Sequence, residues 1–213
     1  MKVSPRARAL HDQVQDVTKL GDLRRLAGEI GTDHELALEL WATGSMQARR
    51  LGILIMDKKK CTQELVDTLD RAVQVHPVDD RVQFFDWLMA NQLARTKGGK
   101  DLLESWESSA SPLQRRLFWY HQARLRWTGQ ASPPNTGSLL DALEARMHDE
   151  EPEVQWAMNF TAGQIGTYQP EHRDRCVALG ERTGLFRDEP VAPGCTPNYL
   201  PEFIRIQVAK LPD

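Results

Sequence analysis

The chain has few of the features that mark membrane-bound or secreted proteins. It contains no run of about 18 apolar residues, which excludes a helix long enough to span a bilayer, and its first residues lack the apolar core of a signal peptide. Cysteine is scarce. Cys61, Cys176 and Cys195 are odd in number and widely spaced, which argues against a disulfide framework. We therefore expect a cytoplasmic protein without membrane contact, whose thiols are buried or idle.

The sequence also lacks the compact motifs of common enzyme chemistry. It has no glycine-rich phosphate loop, no Cys or His pair at zinc-ligand spacing and no nucleophile-elbow serine. One acidic run, 148–151, resembles a metal site but falls at a predicted helix end, where a solvated acidic turn is the simpler interpretation. We expect no cofactor and no metal, and a small-molecule or metal enzyme has no supporting group of residues.

A strong excess of positive charge is absent as well. The formal net charge is −3, which gives no overall case for nucleic-acid binding. Residues 45–130 nevertheless carry 14 Lys and Arg against 10 Asp and Glu, whereas residues 131–213 carry 7 against 13. The middle of the chain could attract phosphate groups, and the C-terminal third would not. A chance asymmetry explains an excess of four equally well.

Helical periodicity runs through almost the whole chain, and no stretch shows convincing strand alternation. Gly52 and Gly163 fall inside helical patterns, which indicates close helix packing because each costs about 1 kcal/mol relative to Ala. Gly98-Gly99 is predicted to break the chain, 129–137 to form an exposed loop and 185–213 to form a Pro-rich tail. Helices are predicted over 6–19, 22–30, 34–42, 46–57, 62–75, 80–96, 101–107, 112–127, 138–148, 152–167, 170–183 and 203–209.

An apolar residue followed by Gln recurs near the start of four of these helices. The glutamines are Gln47, Gln83, Gln114 and Gln155, and the gaps between them are 36, 31 and 41 residues. Irregular periods in this range are typical of stacked helical hairpins, in which no single unit can bury its apolar face alone. We therefore predict a single all-α domain over residues 1–213, built as a right-handed superhelical solenoid of antiparallel helix pairs.

The helix predicted over 112–127 has two chemically different faces. Arg115, Trp119, Gln122 and Arg126 share one face at helical spacing, opposite Tyr120 and Trp127. A face with two guanidinium groups, an indole and an amide suits a phosphodiester backbone. The alternative is that the arginines extend over an apolar surface and cover it with their stems.

Asp86 is a single carboxylate within an apolar run of the helix predicted over 80–96. Because an unpaired buried carboxylate is costly, Asp86 must be neutral, paired or directed into a cleft. Arg115, one repeat later, is the expected partner. The pair would then be either a structural ion pair or an anion positioned beside a cationic reaction centre.

Three segments of the chain resemble the DNA alkylation repair family, the AlkD-like DNA glycosylases. They are 82–88 (VQFFDWL), 113–118 (LQRRLF) and 154–160 (VQWAMNF), the last followed by Ile165-Gly166. The resemblance covers most of residues 35–185. It implies a HEAT-like helical-repeat fold that holds duplex DNA, alkylated or not, in a concave basic groove. The implied activity, that of a glycosylase, is hydrolysis of the N-glycosidic bond of cationic alkylated purines.

The resemblance also implies roles for individual residues. Asp86 and Arg115 match the functional aspartate and arginine, so Asp86 would stabilise the sugar cation and Arg115 would hold a phosphate. Val82 and Phe160 stand where the family has cleft tryptophans, and only Phe160 is aromatic. The remaining predicted site residues are a second cleft aromatic and four DNA-binding arginines: Trp119, Arg49, Arg50, Arg116 and Arg126.

A second function class remains open at this point. Helical-repeat folds commonly bind a protein or peptide without catalysis. The loss of a cleft tryptophan at Val82 favours a catalytically inactive scaffold that binds DNA or a protein partner, whereas the retained Asp86 and Arg115 oppose it. Either protein is expected to be a monomer.

Overall fold

The computed structural model describes residues 3–127 and 132–212. Across these residues the chain forms twelve α-helices and short 3-10 turns, and no strand. It divides into two compact units, Met1–Ser105 and Trp106–Asp213. None of the helices in the described parts is long and apolar enough to cross a bilayer. The prediction of one domain over 1–213 stays a prediction.

The first unit is built around α4, which packs against α2, α3 and α6. Leu51 and Ile53 of α4 are fully buried, as are Phe84 and Phe85 of α6. Side chains of Ser4, Asp33 and Thr62 accept hydrogen bonds from the first turns of α1, α3 and α5, as N-caps do. The helices are α1 (Pro5–Val14), α2 (Leu20–Ile30), α3 (His34–Ala42), α4 (Met46–Ile55), α5 (Gln63–Val73), α6 (Val78–Asn91) and α7 (Lys97–Ser105).

The second unit is built around one central helix, α10. This helix is buried on nearly every side from Val154 to Thr167, and it packs against α8, α9, α11 and α12. A helix that is apolar all round belongs in the middle of a helical layer. The helices of this unit are α8 (Pro112–Trp127), α9 (Thr136–Arg146), α10 (Pro152–Tyr168), α11 (Arg173–Thr183) and α12 (Leu200–Val208).

Close packing at helix glycines is confirmed. A Cβ added to Gly163 would lie 2.7 Å from Cε1 of Phe203, and one added to Gly52 would lie 2.8 Å from the carbonyl oxygen of Ala37. Gly166 allows a similar approach of Ile204. The glycines of α10 therefore allow side chains of α12 to contact the backbone of α10.

Gly98 and Gly99 do not break the chain as predicted. Both lie at the start of α7, which begins at Lys97. Gly99 lies closer to the backbone of Leu93 than any Cβ would allow, so glycine is required there for close approach. The last helix begins at Leu200 rather than 203, with Pro201 in its first turn, where proline is tolerated.

The predicted loop at 129–137 falls partly outside the described residues. Residues 129–131 are not described, 132–135 are non-helical, and α9 begins at Thr136.

The three cysteines form no disulfide. Burial raises the pKa of Cys61 to about 11 and that of Cys176 to about 12. Both thiols are therefore protonated at neutral pH and unsuited to nucleophilic chemistry.

Glycine substitutions test the seam between α10 and α12. We expect Gly163→Ala to lower the free energy of unfolding by about 1–3 kcal/mol, because its methyl group would displace the Phe203 ring. Gly28→Ala, in α2 with open space around it, should instead raise stability by up to about 1 kcal/mol. Urea unfolding measures both, and equal midpoints for the two variants would contradict the packing described.

Candidate nucleic-acid interface

Asp86 lies on a half-buried face of α6 in the first unit. It follows buried Phe85 and precedes Trp87, whose indole Nε1 donates to the carbonyl oxygen of Arg50 over 3.2 Å. The guanidinium carbon of exposed Arg24, on α2, lies 5.0 Å from the Trp87 ring. Trp87, which follows Asp86 in the chain, thus contacts one arginine of α2 and one of α4. We call Arg24, Arg50, Gln83, Asp86 and Trp87 the Trp87 face.

Arg50 links two of the recurring glutamines. Its Nη1 donates to Oε1 of Gln47 over 3.4 Å, and its Nη2 donates to Oε1 of Gln83 over 2.5 Å. Burial lowers the pKa of Arg50, and the nearby charge of Asp80 opposes that shift. Both hydrogen-bond partners of Arg50 are neutral amides, and the charge of Asp80 partly offsets that of its guanidinium group.

Arg49, in contrast, belongs to the interior of the first unit. Only 4% of it is exposed, and its guanidinium carbon lies 4.8 Å from the Trp41 ring and 5.5 Å from the Phe84 ring. Nε donates to the carbonyl oxygen of Trp41, and Nη2 to that of Ala72. Arg49 therefore has no surface for the DNA contact that the sequence predicted.

Arg115 is held by acidic residues of the second unit. Its Nη2 lies 2.9 Å from Oε2 of Glu150 and 2.5 Å from Oε2 of Glu151, and its Nη1 donates to the carbonyl oxygen of Ser109. Burial acts to lower the pKa of Arg115, but the hydrogen bonds that it donates to the two glutamates and their negative charges outweigh burial and raise that pKa. The acidic run at 148–151 thus supplies a structural ion pair, and a phosphate would compete with two carboxylates.

The other predicted contact residues of α8 are buried. Trp119 has no exposed surface, and Arg116 donates through Nη1 to the carbonyl oxygen of Glu153. Arg126 is 3% exposed, and burial lowers its pKa to about 10. Its donors are taken up by neutral partners: Gln122, Asn135, Thr136 and Gln169. These three side chains stabilise the second unit from within and do not fit the DNA-facing and cleft roles predicted for them.

A cluster of half-buried aromatic rings lies where α8 meets α10. Phe160 is at its centre, with ring centroids 5.7 Å from Tyr120, 5.4 Å from Trp127 and 5.2 Å from Trp156. Phe160 and Trp156 are stacked at 14°, and the Arg116 guanidinium carbon lies 4.6 Å from the Trp156 ring. We call Tyr120, Trp127, Trp156 and Phe160 the aromatic patch.

The sequence placed Phe160 at a site but missed the other rings of the patch. Tyr120 and Trp127 are seven residues apart, and Trp156 and Phe160 are four apart, so each pair lies on one helix face. The spacing of Tyr120 and Trp127 is visible in the sequence, but the sequence analysis places these two rings on the side of α8 opposite the predicted contact face. Within residues 3–127 and 132–212, no three His, Cys, Asp or Glu side chains gather as metal ligands.

A search of curated proteins finds no match. Among solved structures, one described as "a new family of proteins related to the HEAT-like repeat DNA glycosylases with affinity for branched DNA structures" matches 97% of this chain and 89% of its own, with a TM-score of 0.69 and 17% identity. This likeness confirms the predicted all-α, HEAT-like fold.

The family resemblance seen in the sequence is also confirmed. The profile of the DNA alkylation repair enzyme family matches residues 17–182, which is most of the chain. The chain therefore belongs to the DNA alkylation repair enzyme family.

Proposed function

We propose that this protein binds DNA in which bases are unstacked, such as branched DNA, and that it does so mainly by stacking. The observation that carries the proposal is the aromatic patch, in which four half-buried rings occupy one surface of the second unit. An aromatic ring that stacks on a base contributes about 1–3 kcal/mol and reads no sequence. Four such rings suit a ligand whose bases are already free of the duplex stack.

The distribution of cations supports stacking over phosphate contact. Arg49, Arg116 and Arg126 are buried, and Arg115 is paired with two glutamates. Stacking on the aromatic patch needs no phosphate contact. It therefore predicts a shallower dependence of affinity on salt than binding through phosphates would, since each phosphate contact releases about one counterion.

The solved structure with the same fold supports this proposal, because its proteins are described as having affinity for branched DNA structures. Family membership supports a role in repair of alkylated DNA. The chain would then act where repair exposes unpaired bases.

Stacking is tested with Trp127→Leu, which keeps apolar volume but removes the π face of a ring that meets its neighbours in the patch only at tilted or edge angles. We expect about 10-fold weaker binding to a fluorescent DNA junction with single-stranded arms in anisotropy titrations, in line with the loss of one base–aromatic stack. Tyr168→Leu is the matched control, since Tyr168 is an exposed aromatic residue of α10 outside the patch. Equal affinities for the two variants would refute the role of the patch.

A second candidate function is hydrolysis of the N-glycosidic bond, with Asp86 as the functional carboxylate. The half-buried position of Asp86 beside Phe85 and Trp87 favours it, because a poorly solvated carboxylate stabilises a nearby cation more strongly. As the C1′–N bond breaks, its electron pair neutralises the cationic purine and positive charge develops on the sugar. Water then adds to C1′, and its proton passes to Asp86 or to solvent.

Release of 7-methylguanine from methylated DNA tests this second function. Wild-type protein should release the base faster than spontaneous loss, and Asp86→Asn should lower the rate by about 10²-fold or more, as for other electrostatic groups at a reaction centre. Asp79→Asn, an exposed acid in the first turn of α6, should keep the wild-type rate. If wild-type protein binds junctions but releases no base, the catalytically inactive scaffold is the correct function.

The glutamates that hold Arg115 provide a further test. If Arg115 contacts phosphate in the complex, the double substitution Glu150→Gln and Glu151→Gln frees its charge. Junction affinity should then rise, and the slope of log K against log salt should become steeper by about one. A loss of thermal stability with no change in affinity would show that the ion pair is only structural.

A further inference from the structure

One arginine lies among the rings of the aromatic patch, on a helix that is otherwise mostly buried. From Leu113 to the end of α8, the residues that are not buried are Arg115, Tyr120, Arg124, Leu125 and Trp127, and all of them are half-buried. Tyr120, Arg124 and Trp127 follow one another at spacings of four and three residues, so they occupy one face of the helix. Arg124 therefore lies on the ring-bearing face of α8, and the proposed function has not used it.

The other three arginines of α8 are held by groups of the protein itself. Arg115 is paired with two glutamates, Arg116 donates to the carbonyl oxygen of Glu153, and Arg126 is bonded to neutral side chains. Arg116 and Arg126 are also buried. Among the four, Arg124 combines partial exposure with a position between two rings of the patch.

Trp127 is better oriented than Trp156 to receive a base. Its ring meets Tyr120 at 50° and Phe160 at 75°, so neither neighbour lies flat against it. Trp156, in contrast, is stacked with Phe160 at 14° and has the guanidinium carbon of Arg116 4.6 Å from its centroid. A base that enters the patch therefore stacks on Trp127 in preference to Trp156.

Charge differs between the two ends of the patch. α8 and α10 run in the same direction, since Arg116 contacts Glu153 near their beginnings and Arg126 contacts Gln169 near their ends. Glu153 is half-buried in the first turn of α10, whereas Arg124 lies in the last turn of α8. The two arginines of that turn outweigh the helix dipole, which contributes only about −0.5 charge there. A phosphate is therefore attracted to the end that carries Arg124.

We propose that Arg124 holds the phosphate of the nucleotide whose base stacks on Trp127. This inference rests on the proposed function, because it requires a base on the aromatic patch. Side chains three residues apart on a helix begin about 5–6 Å from each other, which suits the base and the phosphate of one nucleotide. A guanidinium group also donates two parallel hydrogen bonds to a phosphate. The patch thus binds a nucleotide through one stack and one phosphate contact.

A single uncharged linkage in the DNA tests the phosphate contact. The probe is a fluorescent duplex with one bulged base, in which methylphosphonate replaces one phosphate beside the bulge or one several base pairs away. For the wild-type protein, replacement at one linkage beside the bulge should weaken binding about 10-fold, the loss expected for a hydrogen bond to a charged group. The distant replacement should have no effect. Arg124→Gln should bind all of these probes equally.

The outcomes separate this inference from the proposed function. If the wild-type protein does not prefer the bulged duplex to a fully paired one, the proposed function and the inference both fail. If it prefers the bulge but tolerates methylphosphonate at both neighbouring linkages, only the inference fails. Sensitivity that persists in Arg124→Gln would also overturn the inference, because another residue would then hold the phosphate.

The salt dependence of binding distinguishes a phosphate contact from a structural role of Arg124. Arg124→Gln should weaken binding to the bulged duplex about 10-fold and lower the slope of log K against log salt by about one. Arg124→Lys keeps the charge and should keep the slope. Arg182→Gln removes an exposed arginine of α11, a helix that contributes no ring to the patch, and should change neither value. An unchanged slope in Arg124→Gln, or an equal decrease in Arg182→Gln, would overturn the proposal.

Discussion

The contact between α10 and its neighbours is the constraint on which the second unit depends. Thr161 of α10 donates to the carbonyl oxygen of Trp119 over 2.6 Å, and Gly163 and Gly166 admit α12 to within van der Waals distance. Because α10 is buried on most sides, the rings of Trp156 and Phe160 are held on the face that it leaves partly open. The aromatic patch is therefore supported by a helix that is packed on most of its sides.

Three of the arginines predicted to contact DNA are buried and have a structural role. Arg49, Arg116 and Arg126 each satisfy backbone or amide oxygens from distant parts of the chain, so their guanidinium groups join the helices together. An arginine used in this way gives planar, multiple hydrogen bonds that lysine could not supply. Positive charge in the sequence is consequently a poor measure of positive charge at the surface.

The fold could be predicted from sequence because its signals are local. Asp33 and Ser111-Pro112 fix the beginnings of α3 and α8, and α3 ends where the periodicity predicts. The start of α7 could not be predicted, because glycine is a poor helix former and the contact of Gly99 with the backbone of Leu93 is visible only in the structure. The burial of Arg126 depends likewise on Gln169, 43 residues later. Helix periodicity gives the faces of α8 but does not say which face the neighbouring helix covers.

The position of Phe203 has a consequence for the evolution of this chain. Its ring lies against Gly163 and 6.0 Å from Phe160, so α12 forms part of the support of the aromatic patch. A substitution or length change in the segment between α11 and α12 can therefore alter the patch without touching any ring in it. Variation in that segment can therefore reshape the patch while α8 and α10 keep their sequences.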